Sequence, residues 1–205
     1  MIFCMIDSTP RIISREEAFS EKIVAECILK GGVCVIPTDT VYGFSGIVPW
    51  SKNKIQTIKG RDEGKSFIQL IADPNEIYNY TSLSIPSGLF SLWPGALTLV
   101  VPVSKGDNAG STIAFRCPGD AWLRKVVELV GSPIYSTSVN RSGQPVMYKL
   151  QSICDEFLDE VDLIVDGDKI IAPDAKASTL VELTDDGQCK VLRQGSVTIP
   201  SELLT

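Results

Sequence analysis

Apolar residues change their spacing several times along the chain, and each change predicts an element. Phe19, Ile23, Cys27 and Ile28 recur at helical spacing. Ser14-Arg15-Glu16-Glu17 precedes them in the pattern of a capping box, with Ser14 as N-cap and Glu17 three residues on. Gly31-Gly32 ends that helix. Val33–Ile36 reads as a short buried strand that stops at Pro37, which has no N–H for a ladder. A short helix is predicted over Trp50–Ile58 with Ser51 as N-cap, then a strand over Ser66–Ile71 and a helix through Ser87–Leu92. Ala96–Val103 and Thr112–Arg116 read as strands. Asp120 caps a helix whose Leu123, Val126, Val127 and Val130 face inward, stopped by Gly131. Ile134–Thr137 and Val161–Val165 are strands, and Thr179–Leu183 with Lys190–Arg193 form a hairpin around Asp185-Asp186-Gly187. Strands alternating with helices imply an α/β fold, and the late hairpin makes its sheet mixed rather than all parallel.

Composition narrows the chemistry. The 205 residues suit one domain, and no linker marks a second. There is no histidine, which removes Ser-His-Asp and Cys-His nucleophiles, imidazole metal sites and any base with an ordinary pKa near neutrality. A net charge of −6 weighs against a protein that mainly coats nucleic acid, though a local basic groove remains compatible with it. The six cysteines form no C-x-x-C pair and sit mostly in apolar runs, as expected of buried reduced thiols in a cytosolic protein. No apolar run approaches the ~20 residues of a membrane helix, so no membrane contact and a cytoplasmic location are expected.

Three polar constellations follow predicted strands or helices. Pro37-Thr38-Asp39-Thr40-Val41-Tyr42-Gly43 offers hydroxyls to a polar ligand, or a turn in which Thr and Asp bond their own backbone. Lys59-Gly60-Arg61-Asp62-Glu63-Gly64-Lys65 alternates cations with glycines and suits a polyphosphate. The same residues also suit a solvated loop that pairs its own charges, and the spacing is not that of a P-loop. Ser136-Thr137-Ser138-Val139-Asn140-Arg141-Ser142-Gly143 places hydroxyls, an amide and a cation at the carboxyl end of a strand, where α/β sheets bind ligands. Arg116 and Arg193 are further candidates.

Together with Trp93-Pro94-Gly95-x-Leu97-Thr98, Phe115-Arg116-x-Pro118, Ser178-Thr179 and Leu192-Arg193-x-Gly195, these motifs occur in the order of one family. From about residue 15 to 197 the chain resembles the YrdC/TsaC family, the L-threonylcarbamoyl-AMP synthases. The resemblance implies a YrdC-like twisted mixed sheet with flanking helices around a concave, positively charged cavity. It implies an N-terminal extension over 1–14, a YrdC-like domain over 15–197, a tail over 198–205 and no C-terminal accessory domain.

The activity implied is nucleotidyl transfer: L-threonine, bicarbonate (or CO₂) and ATP give threonylcarbamoyl-AMP and pyrophosphate. The product serves t⁶A at position 37 of tRNAs reading ANN codons. The resemblance implies Lys59 and Arg61 as catalytic. Arg61, Lys65, Thr112, Ser138, Asn140 and Arg193 would bind ATP. Thr38, Tyr42, Arg116, Ser136 and Ser178 would hold threonine. Mg²⁺ is expected to arrive with ATP, and no protein metal site is expected. Other t⁶A-pathway proteins are expected partners, with tRNA contact allowed but not required. Asp62, Ser66, Val139 and Gln194 depart from the family's usual residues, in ways that alter loop stiffness more than charge. Two alternatives are a non-catalytic RNA-binding paralogue and a carbamoyl-adenylate-forming relative.

Overall fold

A computed structural model describes residues 11–61, 66–106, 109–167, 171–172, 174–184, 186 and 188–203. Its centre is a ten-stranded mixed sheet. In chain order the elements are β1 (Arg11–Ser14), α1 (Ser20–Leu29), β2 (Cys34–Ile36), β3 (Gly43–Ile47), α2 (Lys52–Lys59), β4 (Ile68–Leu70) and α3 (Ser87–Phe90). There follow β5 (Leu97–Pro102), β6 (Thr112–Arg116), α4 (Ala121–Val130), β7 (Ile134–Ser138), α5 (Leu150–Phe157), β8 (Leu163–Asp166), β9 (Thr179–Leu183) and β10 (Cys189–Arg193). The spatial order is β1-β8-β2-β3-β7-β4-β6-β5-β9-β10. Parallel pairs (β1/β8, β2/β8, β4/β6, β5/β9) mix with antiparallel ones.

The period-2 rule of strands sorts the core. Cys34 and Ile36 of β2, with Leu163 and Val165 of β8, face α1 and α4. Val33 and Val35, with Ile164, face α2 and α5. In the other half of the sheet, Leu97, Leu99 and Val101 of β5 and Ile113 and Phe115 of β6 pack with Val181 of β9, Leu89 and Trp93 in a third cluster. The intervening residues, Val100, Thr112, Ala114, Arg116 and Leu180, line a cavity instead. The described cysteines are all free, with Cys34, Cys117 and Cys189 buried.

The helix predicted from Ser14 begins six residues later. Ser14 is paired to Asp166 as the last residue of β1, and its hydroxyl accepts from Glu16 N in a turn. Helix α1 starts at Ser20 behind Phe19, which has φ 64° and is 76% exposed rather than inward. Arg15 instead forms a bidentate ion pair with Asp120, which still caps α4 through Trp122 N (2.9 Å) and Leu123 N (3.3 Å). Strands β1 and β3, helix α5 and the 3-10 helix Pro74–Asn79 have no counterpart in the sequence reading. Ile199 is buried in the third cluster and Leu203 packs against it, so the segment after β10 adds to the core. The turn of the β9–β10 hairpin lies partly outside the described residues, although the antiparallel pairing of its strands is present.

Candidate active site

Register brings the polar motifs together. Gly43 pairs with Ser138, Ile68 with Ser136, and Leu70 with Arg116. The Pro37–Gly43 loop, the carboxyl ends of β6 and β7 and the start of β9 therefore meet around one cavity of about 380 Å³. A Cβ at 43 would lie 2.9 Å from Ser136 Oγ, so Gly43 leaves that hydroxyl its place in the cavity wall. At 195 a Cβ would lie 2.1 Å from Ala177 O, so Gly195 lets β10 return against the Ala177-Ser178 segment.

Nine of the expected site residues line this cavity: Thr38, Tyr42, Arg61, Thr112, Arg116, Ser136, Ser138, Ser178 and Arg193. Among the described lining residues there are three arginines and no carboxylate. Arg116 is 4% exposed. It donates from Nε to Gly95 O (3.1 Å), from Nη1 to Thr40 Oγ1 (2.9 Å) and from Nη2 to Asp39 Oδ1 (2.6 Å). Burial lowers its pKa and Asp39 works against that shift, yet a guanidinium stays charged at neutral pH.

Arg61 lies over the Phe67 ring at 5.0 Å and donates to Thr137 Oγ1 (3.4 Å) and Ser66 O (3.2 Å). Its Nε is buried and has no hydrogen-bond partner among the described residues. Arg193 donates to Ser178 O from Nε (3.2 Å) and Nη2 (2.9 Å), and Ser178 Oγ is 2.7 Å from Thr98 Oγ1. A register shift between Val191 and Arg193 turns the end of β10 toward the cavity.

Lys59 and Asn140, expected as a catalytic and an ATP-binding residue, are not among the residues that line this cavity. Lys59 Nζ donates to Ser138 O, to Asn140 O (2.9 Å) and to Asn140 Oδ1 (3.0 Å). All three ammonium hydrogens are thereby used. Burial, with Arg61 adding to it, lowers its pKa to about 8. Asn140 uses its amide on Arg141 O (2.8 Å) and Gln144 O (2.7 Å), and its Oδ1 also accepts from Ser138 Oγ (2.7 Å). These two residues fold the 138–144 loop rather than presenting free groups.

Thr38 also turns inward. Its Oγ1 donates to Val41 O (2.7 Å) and accepts from Thr40 N and Val41 N, the local turn that sequence left open beside a ligand role. Tyr42 is fully buried, and its hydroxyl accepts from Gly167 N (2.9 Å). Lys65 lies outside the described residues. Asp39 and Thr40 carry roles that the sequence reading did not assign, although both stand in the Pro37–Gly43 motif. Arg141 is drawn away to Glu156 and Glu160. Among the described residues no three His, Cys, Asp or Glu cluster as a metal site, and no helix is long and apolar enough to cross a membrane.

Known proteins share this architecture. The family model Sua5_yciO_yrdC, described as "Telomere recombination", matches residues 26–195. Threonylcarbamoyl-AMP synthase of Bos taurus is 29% identical over 177 residues, covering 80% of this chain and 64% of its own length. The chain thus spans under two thirds of that relative. The synthase of Vibrio vulnificus is 29% identical over 185 residues, covering 84% of this chain and 96% of its own. A crystal structure of P. abyssi Sua5 complexed with L-threonine superposes with a TM-score of 0.78 at 29% identity, covering 90% of this chain and 57% of that one.

Proposed function

The chain belongs to the Sua5/YciO/YrdC family, and from that premise we propose that it is a threonylcarbamoyl-AMP synthase, condensing L-threonine, bicarbonate and ATP. The observation that carries the reading is the convergence of Arg61, Arg116 and Arg193 with a set of hydroxyls on one cavity that has no carboxylate among its described lining residues. Such a site favours small anions: one carboxylate and one polyphosphate.

Arg116 retains one N–H on each terminal nitrogen, two donors spaced for the threonine carboxylate. Ser136 and Ser178 lie beside it. Bicarbonate takes up a proton and loses water to give CO₂; the neutral threonine amine adds to that CO₂ and releases a proton to solvent, leaving a carbamate. A carbamate oxygen then attacks the α-phosphorus of ATP, the bond to the β-phosphate oxygen breaks, and pyrophosphate leaves. No step needs a histidine. Arg61 and Arg193 stabilise the charge on the phosphoryl oxygens, and in-line placement supplies much of the remaining rate. Lys59 and Asn140 act indirectly by shaping the loop that carries Ser138. Lys65 is assigned to the phosphates from the motif alone. Mg²⁺ would arrive with ATP and offset phosphate charge; among the described residues no cluster of three His, Cys, Asp or Glu offers it a site.

The product would be handed to proteins that place the threonylcarbamoyl group on tRNA, in the cytoplasm. The test is pyrophosphate release from ATP with threonine and bicarbonate supplied together or singly. Release requiring all three supports the reading. Release indifferent to threonine, or salt-sensitive RNA binding with no release, overturns it.

A further inference from the structure

The three cavity arginines differ in charge environment. Arg61 and Arg193 donate to neutral carbonyls and hydroxyls of Ser66, Thr137 and Ser178. Arg116 is ion-paired, with Asp39 Oδ1 2.6 Å from Nη2. The second oxygen of Asp39 is held by Gly119 N at 2.8 Å, so the carboxylate is fixed at both ends. Gly119 fits closely, as a Cβ there would be 3.0 Å from Asp39 Oδ2. Asp39 is not part of the cavity lining. It meets the arginine from a partly exposed position outside that lining.

Two consequences follow from elementary electrostatics. Gly95 O, Thr40 Oγ1 and Asp39 Oδ1 consume one hydrogen each from Nε, Nη1 and Nη2. The plane and direction of the remaining two N–H groups are therefore set. That fork matches the two oxygens of a carboxylate. At the distance of a polyphosphate, by contrast, the Asp39–Arg116 pair acts as a dipole rather than a unit charge, and its attraction falls off faster. Arg193 lies near enough to Arg116 to disfavour its charge, so without Asp39 two guanidiniums would present full charge to the same anion.

We infer that Asp39 is a positioning and specificity-determining residue that reserves Arg116 for the carboxylate of the amino-acid substrate and withholds it from phosphate. This rests on the reading above that Arg116 meets that carboxylate. Asp39 thereby separates two anion subsites that share one cavity.

The experiment is titration calorimetry of L-threonine and L-threoninamide on the full chain, with and without pyrophosphate. The proteins are the parent, Asp39→Asn, Asp39→Ser and Arg116→Gln. The parent should prefer threonine over its amide, and pyrophosphate should leave that affinity unchanged. In both Asp39 variants the preference should fall about 10-fold or more, the value of one misplaced charge-assisted hydrogen bond. Pyrophosphate should also become a competitor of threonine in them. The preference compares two ligands on one sample, so a reduced folded fraction cancels. An unchanged preference without competition in the Asp39 variants, where Arg116→Gln abolishes the preference, overturns the role of Asp39 alone. An unchanged preference in Arg116→Gln overturns the carboxylate reading, and the inference with it.

Discussion

Lys59 and Asn140 are bound to each other twice: Nζ donates to the backbone O of Asn140 at 2.9 Å and to its Oδ1 at 3.0 Å. The same Asn140 oxygen accepts from Ser138 Oγ at 2.7 Å. The ammonium thus organises the hydroxyl that reaches the cavity.

Burial holds the Lys59 pKa near 8, against 10.5 for the free side chain. Above that value the amine keeps two hydrogens for three acceptors, and the 138–144 loop loosens. Activity should carry an alkaline limb near pH 8. Global stability has the opposite sign. Between about 8 and 10.5 the unfolded chain holds the proton that the folded chain has released, so this group makes stability rise with pH across that window. Lys59→Arg stays protonated and should move the activity limb upward. A limb left near pH 8 in the pH–rate profile of that variant would assign it to another group.

Arg61 lies on the Phe67 ring, and its buried Nε has no hydrogen-bond partner among the described residues. Arg61→Ala should lower turnover about 10²-fold, the usual cost of removing one electrostatic donor. Arg61→Lys should recover little, because an ammonium cannot both lie flat on Phe67 and reach Thr137 and Ser66. Steady-state pyrophosphate release measures both, and turnover near the parent's in either variant would remove Arg61 from the chemistry.

What sequence could reveal here depended on whether its signal was local. Helix α4 was legible from Asp120 to Gly131 because cap, apolar stripe and stop lie within twelve consecutive residues. Strand β6 was legible from its alternation, which also aims Thr112 and Arg116 into the cavity. Strand β3, Gly43-Phe44-Ser45-Gly46-Ile47, carries little β-propensity of its own. It forms because β2 and β7 flank it. Ser14 had the side chain of a cap, but pairing of β1 with β8 claimed its backbone first. Arg116 and Arg193 could be named as candidates from sequence, while the direction of Lys59 could not, because its acceptors lie about eighty residues away along the chain.

Asp120 has two separable tasks, capping α4 and pairing with Arg15. Asn is as good an N-cap as Asp but carries no charge. Asp120→Asn should keep the cap and lose the ion pair, setting its amide N–H₂ against Arg15, and Asp120→Ala should lose a further ~1 kcal/mol of cap. The second step corresponds to roughly 2–4 °C in Tm for a chain of this size. Equal melting temperatures for the two variants would show that the cap contributes nothing beyond the pair.

Gly43 offers the sharpest separation of binding from stability. A methyl group there would stand 2.9 Å from Ser136 Oγ, 3.6 Å from Thr137 O and 3.8 Å from Thr38 Cγ2. Only the first contact is too close, and it involves the tip of a side chain that can rotate away. Alanine also costs less than glycine to hold in a strand. Gly43→Ala should then leave Tm within a few degrees of the parent while turning Ser136 Oγ out of its place in the cavity wall. Losing one hydrogen bond to threonine corresponds to about a 10-fold rise in its KM, with the KM for ATP little changed. The double variant Gly43→Ala with Ser136→Ala removes the clash but not the loss, so it should match Ser136→Ala alone. A Gly43→Ala protein that melts far below the parent would place the obstruction in the β3–β7 backbone instead of in the Ser136 hydroxyl.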